Sequence, residues 1–136
     1  MRTLAGIAAL AVVLVSARDT VAHHSFAAEY DATKPITLTG RVQRVDFVNP
    51  HGWIYMQVPK PKGEPEIWNV EMGSPNSLIR RGFTRTTVAV GTEVVVQGYR
   101  AKDGTRTVNS TSITLPDGRR LFTGSPGTGA PEERKP

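Results

Sequence analysis

The chain has 136 residues, enough for one domain and too few for two ordinary ones, and 17 Lys and Arg against 12 Asp and Glu give a net charge of +5. It has no cysteine, which excludes a disulfide scaffold and a thiol nucleophile, so its core must hold by packing alone.

The first residues stand apart. Arg2 precedes LAGIAALAVVLV (residues 4–15), an uninterrupted apolar run of twelve. That is short for a bilayer span and suits the core of a secretory signal. No second such run follows, so the expectation is a soluble, periplasmic or secreted protein with no stable membrane insertion. Small residues allow cleavage after Ala17 or after Ala22. The first site presses against the apolar core, whereas the second leaves the polar spacer SARDTVA and is favoured. Residues 1–22 are read as a signal peptide. Its removal takes away Arg2, Arg18 and Asp19, lowers the net charge to +4, and makes His23 the first residue.

Residues 23–35 are read as an N-terminal segment, and strand signals begin at Ile36. In ITLTGRVQRVDFV, Leu38, Gly40 and Val42 share one phase and Val45 and Phe47 the other. A phase change inside one strand predicts a bulge or sharp bend. GWIYMQV alternates Ile54, Met56 and Val58 against Trp53, Tyr55 and Gln57. PKPKGEP is a polar turn, and EIWNVEM sets Trp68, Val70 and Met72 on one side.

SPNSLIRRG is the one convincing helix: Ser74 suits the N-cap, Pro75 the first helical position, and Gly82 the C-terminal stop. TEVVVQGYRA and RTVNSTSITL are strands joined by the turn KDGT. LPDGRRLF is a closing turn with a short final strand, and the tail 124–136 is expected to be disordered. The expected fold class is all-β: a small OB-like five-stranded barrel over 36–123, with one helix between strands three and four. A small open sandwich is the rival, because periodicity does not give strand order.

The stretches AHHSFAAEYD, KPITLTG, VNPHGWIY, EMGSPNSLIRRG, VQGYRAKDG and ITLPDGRRLF together resemble a family of small exported bacterial proteins classed only as a domain of unknown function. Its pattern is a signal peptide, an HHSF start, an NPH turn, a GSPN helix start and a closing LPDGR segment. The resemblance runs from about Ala22 to Gly124. Phe83 departs from it, standing where many relatives are expected to carry Trp. The resemblance implies the periplasm and no activity, so function has to be argued from the residues.

Cleavage after Ala22 would give His23 two donors, its free α-amine and its own imidazole Nδ1. A second imidazole would complete a T-shaped set of three nitrogens, a histidine brace, and planar nitrogen donors suit Cu(II) best among common divalent metals. The α-amine has a reference pKa of about 7.7–8.0 and histidine of about 6.5, so copper can displace both protons at neutral pH. His51, in a turn stiffened by Pro50, is the first choice for the second imidazole. His24 is the other, although a sequence neighbour cannot easily reach the same metal from the opposite side. Glu29, Asp31 and Asp46 are the candidates for an axial oxygen or an outer acceptor. Against this stands the plain reading of His23 and His24 as a solvated pair and of His51 as a turn-packing side chain. Cleavage after Ala17 would remove the brace altogether.

A different function would use Trp53 and Tyr55, on the phase opposite Ile54 and Met56, as an aromatic ligand face for a periplasmic protein or a glycan. Packing of Trp53 within the barrel is the simpler account. Export argues against nucleic acid as the partner. Arg80 and Arg81 are explained by the helix C-terminus, with Arg85 nearby. Gly73, Gly82, Gly91 and Gly98 are read as turn and strand-end residues. No serine stands in a nucleophile elbow, and Glu64 and Glu66 flank Pro65 in a loop, so no enzyme activity is expected. Copper is the one cofactor the sequence suggests.

Overall fold

The structure, a computed structural model, describes residues 26–125. The expected signal peptide, both cleavage sites, His23, His24 and the tail beyond Ser125 lie outside the described residues.

Two short helices and six strands follow in the order α1 (Phe26–Glu29), β1 (Tyr30–Phe47), β2 (Gly52–Val58), β3 (Glu66–Glu71), α2 (Pro75–Arg80), β4 (Glu93–Ala101), β5 (Thr107–Thr114) and β6 (Arg120–Phe122). The strands form one sheet in the order β3-β2-β1-β4-β5-β6, and an additional β3–β5 pairing closes five of them into a ring. That closing pair is parallel, with Val70 opposite Val108, and the other pairings are antiparallel. Five strands were expected. The sixth is the short closing strand, which pairs with β5 through Ile113 and Leu121.

β1 serves two neighbours in turn. Its first part pairs with β4, from Tyr30 opposite Ala101 to Arg41 opposite Glu93. Its second part pairs with β2, from Arg41 opposite Gln57 to Phe47 opposite Gly52. The register slips between Val42 and Arg44, where the change of apolar phase predicted a bulge. The strand also starts earlier than expected, at Tyr30 and not Ile36. Asp31 accepts from the Thr33 amide and hydroxyl, a local turn that breaks the register before Pro35 resumes it. α1 is an addition to the single expected helix.

The core lies inside the ring. Val42, Ile54, Met56, Val70, Met72, Val94, Val96, Val108 and Ile113 are fully enclosed. Each such side chain contributes roughly 1.5–3 kcal/mol over its exposed form. α2 adds Leu78, and the segment after it adds Phe83, whose ring stacks on Phe47 at 5.9 Å. The helix starts as its sequence dictates: the Ser74 side chain accepts from the Ser77 amide, Pro75 opens the first turn, and Gly82 takes a φ of 85° just beyond the end. No helix among the described residues is long and apolar enough to cross a membrane.

Candidate functional site

His51 stands between β1 and β2, after a cis Asn49–Pro50 bond. The ladder continues past it: the Gly52 amide donates to Gly73 O at 2.9 Å, and the Met72 amide to Gly52 O at 2.8 Å. This holds the end of β3 beside the His51 ring. Nδ1 lies 3.2 Å from the Met72 carbonyl oxygen and 3.5 Å from Glu71 Oε1.

Glu71 is the side chain that the sequence reading passed over. Strand alternation turns it away from the core residue Val70, yet it is only 7% exposed. Tyr30 covers it, and the phenol donates to Glu71 Oε2. Tyr30 is fixed in turn by Phe26, whose ring stacks on it at 5.8 Å and meets Tyr99 edge-on at 5.4 Å. Burial pushes the Tyr30 phenol far above its ordinary value, and the adjacent Glu71 carboxylate adds to the shift. α1 is fastened to the end of β4: the Lys102 amide donates to Glu29 O at 2.8 Å, and the Lys102 ammonium to Ala27 O.

Together these elements enclose an open pocket of about 770 Å³. His51, Trp53 and Glu71 line one side, Glu29 and Tyr30 another, and Asp103 of the β4–β5 turn a third. Thr105 donates to Asp103 from hydroxyl and amide, which holds that carboxyl below the usual range.

The sequence-selected residues part company here. His51 and Trp53 line this pocket, and Glu29 of the three oxygen candidates joins them. Asp31 is instead bound to Thr33 and Lys34, with its carboxyl lowered chiefly by the Thr33 hydroxyl. Asp46 pairs with Arg44 at 3.0 Å. Trp53 and Tyr55 are both half-buried, and the Arg44 guanidinium lies 3.9 Å above the Tyr55 ring. Arg81 donates to Gly124 O at 2.9 Å and Arg85 to Phe47 O at 3.1 Å, so both have structural partners.

Among the described residues, no group of three His, Asp or Glu side chains is placed to hold a metal ion. A copper centre here would draw on His51 and on His23 or His24, which lie outside the described residues. Two signals for Glu71 and Tyr30 were present in the sequence: a carboxylate at a strand end whose phase faces away from the core, and an aromatic in the segment ahead of Ile36, where the first strand was expected to begin. Neither singles out a site without the β3–β5 pairing that gathers them.

Residues 10–110 match the model of a family described as one of unknown function (DUF6152), which covers 101 of the 136 residues. The match begins within the N-terminal apolar run and ends before LPDGR. No curated protein and no solved structure matches the chain.

Proposed function

The chain belongs to that family of unknown function, and we propose that it is an exported binding module that takes up Cu(II) at the pocket around His51. The observation that carries this reading is the meeting of His51 with Glu29 and Tyr30 in one pocket, six and seven residues after His23. Glu29 and Tyr30, close in sequence to the expected new N-terminus, thus share a pocket with His51, the third histidine of the sequence. His51 would give one nitrogen, and the His23 α-amine and imidazole the other two. Bound copper would supply a tetragonal centre suited to capture or delivery of the metal in the periplasm, without turnover. His51 fits its part in this donor set, because its only polar contacts among the described residues are at Nδ1, leaving Nε2 for a ligand.

The strand order also supports the finer reading of the fold as an OB-like barrel extended by β6. Its ring runs β1-β2-β3-β5-β4, with α2 between β3 and β4.

The test is a Cu(II) titration with EPR on protein processed by its own leader, with mass spectrometry confirming His23 as residue one. One tight equivalent with a nitrogen-rich tetragonal spectrum is expected. His51→Ala should weaken it by more than about tenfold, since losing a ligand costs at least as much as losing an outer partner of one. Copper binding indifferent to that change sinks the folded site. It would leave the second reading, favoured by Trp53 on the pocket wall: a metal-free module for a glycan or periplasmic protein, from which Trp53→Ala should remove partner binding without unfolding the chain.

A further inference from the structure

The contacts at His51 decide which of its two nitrogens is available. Nδ1 faces the Met72 carbonyl oxygen at 3.2 Å and the Glu71 carboxylate at 3.5 Å. Both of those groups only accept hydrogen bonds, so Nδ1 carries a proton whether the ring is neutral or charged. In the neutral ring the lone pair is then on Nε2.

Glu71 is itself held in place. Its backbone is in the β2–β3 ladder opposite Trp53 and pairs with Asn109 of β5. Its second oxygen accepts the Tyr30 hydroxyl, and the side chain has almost no freedom to leave. A buried carboxylate against the non-ligating nitrogen of an imidazole orients the ring and makes its other nitrogen a better donor.

We propose that Glu71, held by Tyr30, is the positioning residue that fixes the His51 tautomer and presents Nε2 as the metal donor. The inference rests on the copper reading of His51, but its deciding measurement uses no copper.

Glutamine at 71 keeps the shape and exchanges one acceptor for a donor. While the Tyr30 hydroxyl keeps donating, as it does to the carboxylate, it holds the amide oxygen, and the amide NH2 is left facing Nδ1. A donor in that position favours the tautomer with a lone pair on Nδ1 and the proton on Nε2, against the pull of Met72 O. Removing the Tyr30 hydroxyl in the same chain frees the amide to turn its oxygen back to Nδ1. The proposal therefore predicts a reversal and a rescue, which loss of packing alone would not produce.

The measurement is a long-range 15N–1H correlation spectrum of the His51 ring in metal-free protein at alkaline pH, where an imidazole is neutral. Wild type should carry the proton on Nδ1, Glu71→Gln should move it toward Nε2, and Tyr30→Phe with Glu71→Gln should bring it back. The single glutamine variant should also bind Cu(II) about 10–100-fold more weakly. Should it fail to fold, Glu71→Asp keeps the charge but withdraws the oxygen, and its tautomer ratio should fall between those two forms. A wild-type ring protonated on Nε2, or a folded Glu71 variant with an unmoved tautomer, overturns the proposal. Tautomer control without tight copper binding would instead overturn the copper reading and leave Glu71 as the residue that sets the ring.

Discussion

A β-carbon on Gly98 would stand 2.1 Å from the Asn109 carbonyl oxygen, and one on Gly40 would stand 2.4 Å from that of Gln57. Both obstacles are backbone atoms of a paired strand, which cannot rotate away. Gly98 was expected at a strand end for conformational reasons, but it lies inside β4, where the register with β5 slips. What it supplies there is room for a close strand approach. Gly82 and Gly91 do follow the conformational rule, with φ of 85° and 87° and open space where a side chain would go. The two causes predict different penalties. Gly98→Ala should cost about 3 kcal/mol or abolish folding, as overpacking does. Gly82→Ala should cost about 1 kcal/mol, the strain of a left-handed alanine. Denaturant midpoints compare them directly, and equal losses would refute the steric account of Gly98.

Elements were legible where their causes are local. α2 was readable because Ser74, Pro75 and Gly82 act within one helical turn of the ends they define. β2 and β3 were readable because Ile54, Met56, Trp68 and Val70 all alternate into the ring. The bend of β1 was readable because a bulge must shift the apolar phase. α1 was not. It has four residues, little more than one helical turn, and it is held by Phe26 packing on Tyr30 and Tyr99 and by Lys102 reaching back to it. The early start of β1 was hidden for the same reason, since Tyr30 finds Ala101 across more than seventy residues of sequence. The site mixes both kinds. His51 and Trp53 are conspicuous by residue type, whereas Glu71 becomes part of the pocket only through neighbours that no short window contains.

The whole molecule depends on bringing β3 to β5, a contact between Asn69, Val70 and Glu71 on one strand and Thr107, Val108 and Asn109 on the other. The same closure puts Glu71 beneath Tyr30, and so ties fold stability to the ionisation of a buried phenol. The folded-state pKa of Tyr30 is raised, first by burial and then by Glu71, while in the unfolded chain it titrates near its ordinary value of about 10. The folded state thus retains the proton where the unfolded state releases it. The stabilising contribution is fully present below pH ~10 and is lost progressively as pH rises from there toward the folded value. Stability followed by denaturant titration should accordingly be insensitive to Tyr30 ionisation up to about pH 9 and fall steeply above about pH 10. Tyr30→Phe should be less stable at neutral pH, because Glu71 loses a donor in a buried position. Its decline above about pH 10 should nevertheless be shallower, because phenylalanine has no proton to release. An alkaline slope identical in both proteins would mean that the ring tolerates Tyr30 as a phenolate, and that the Phe26–Tyr30–Glu71 layer opens without disturbing the strands beneath it.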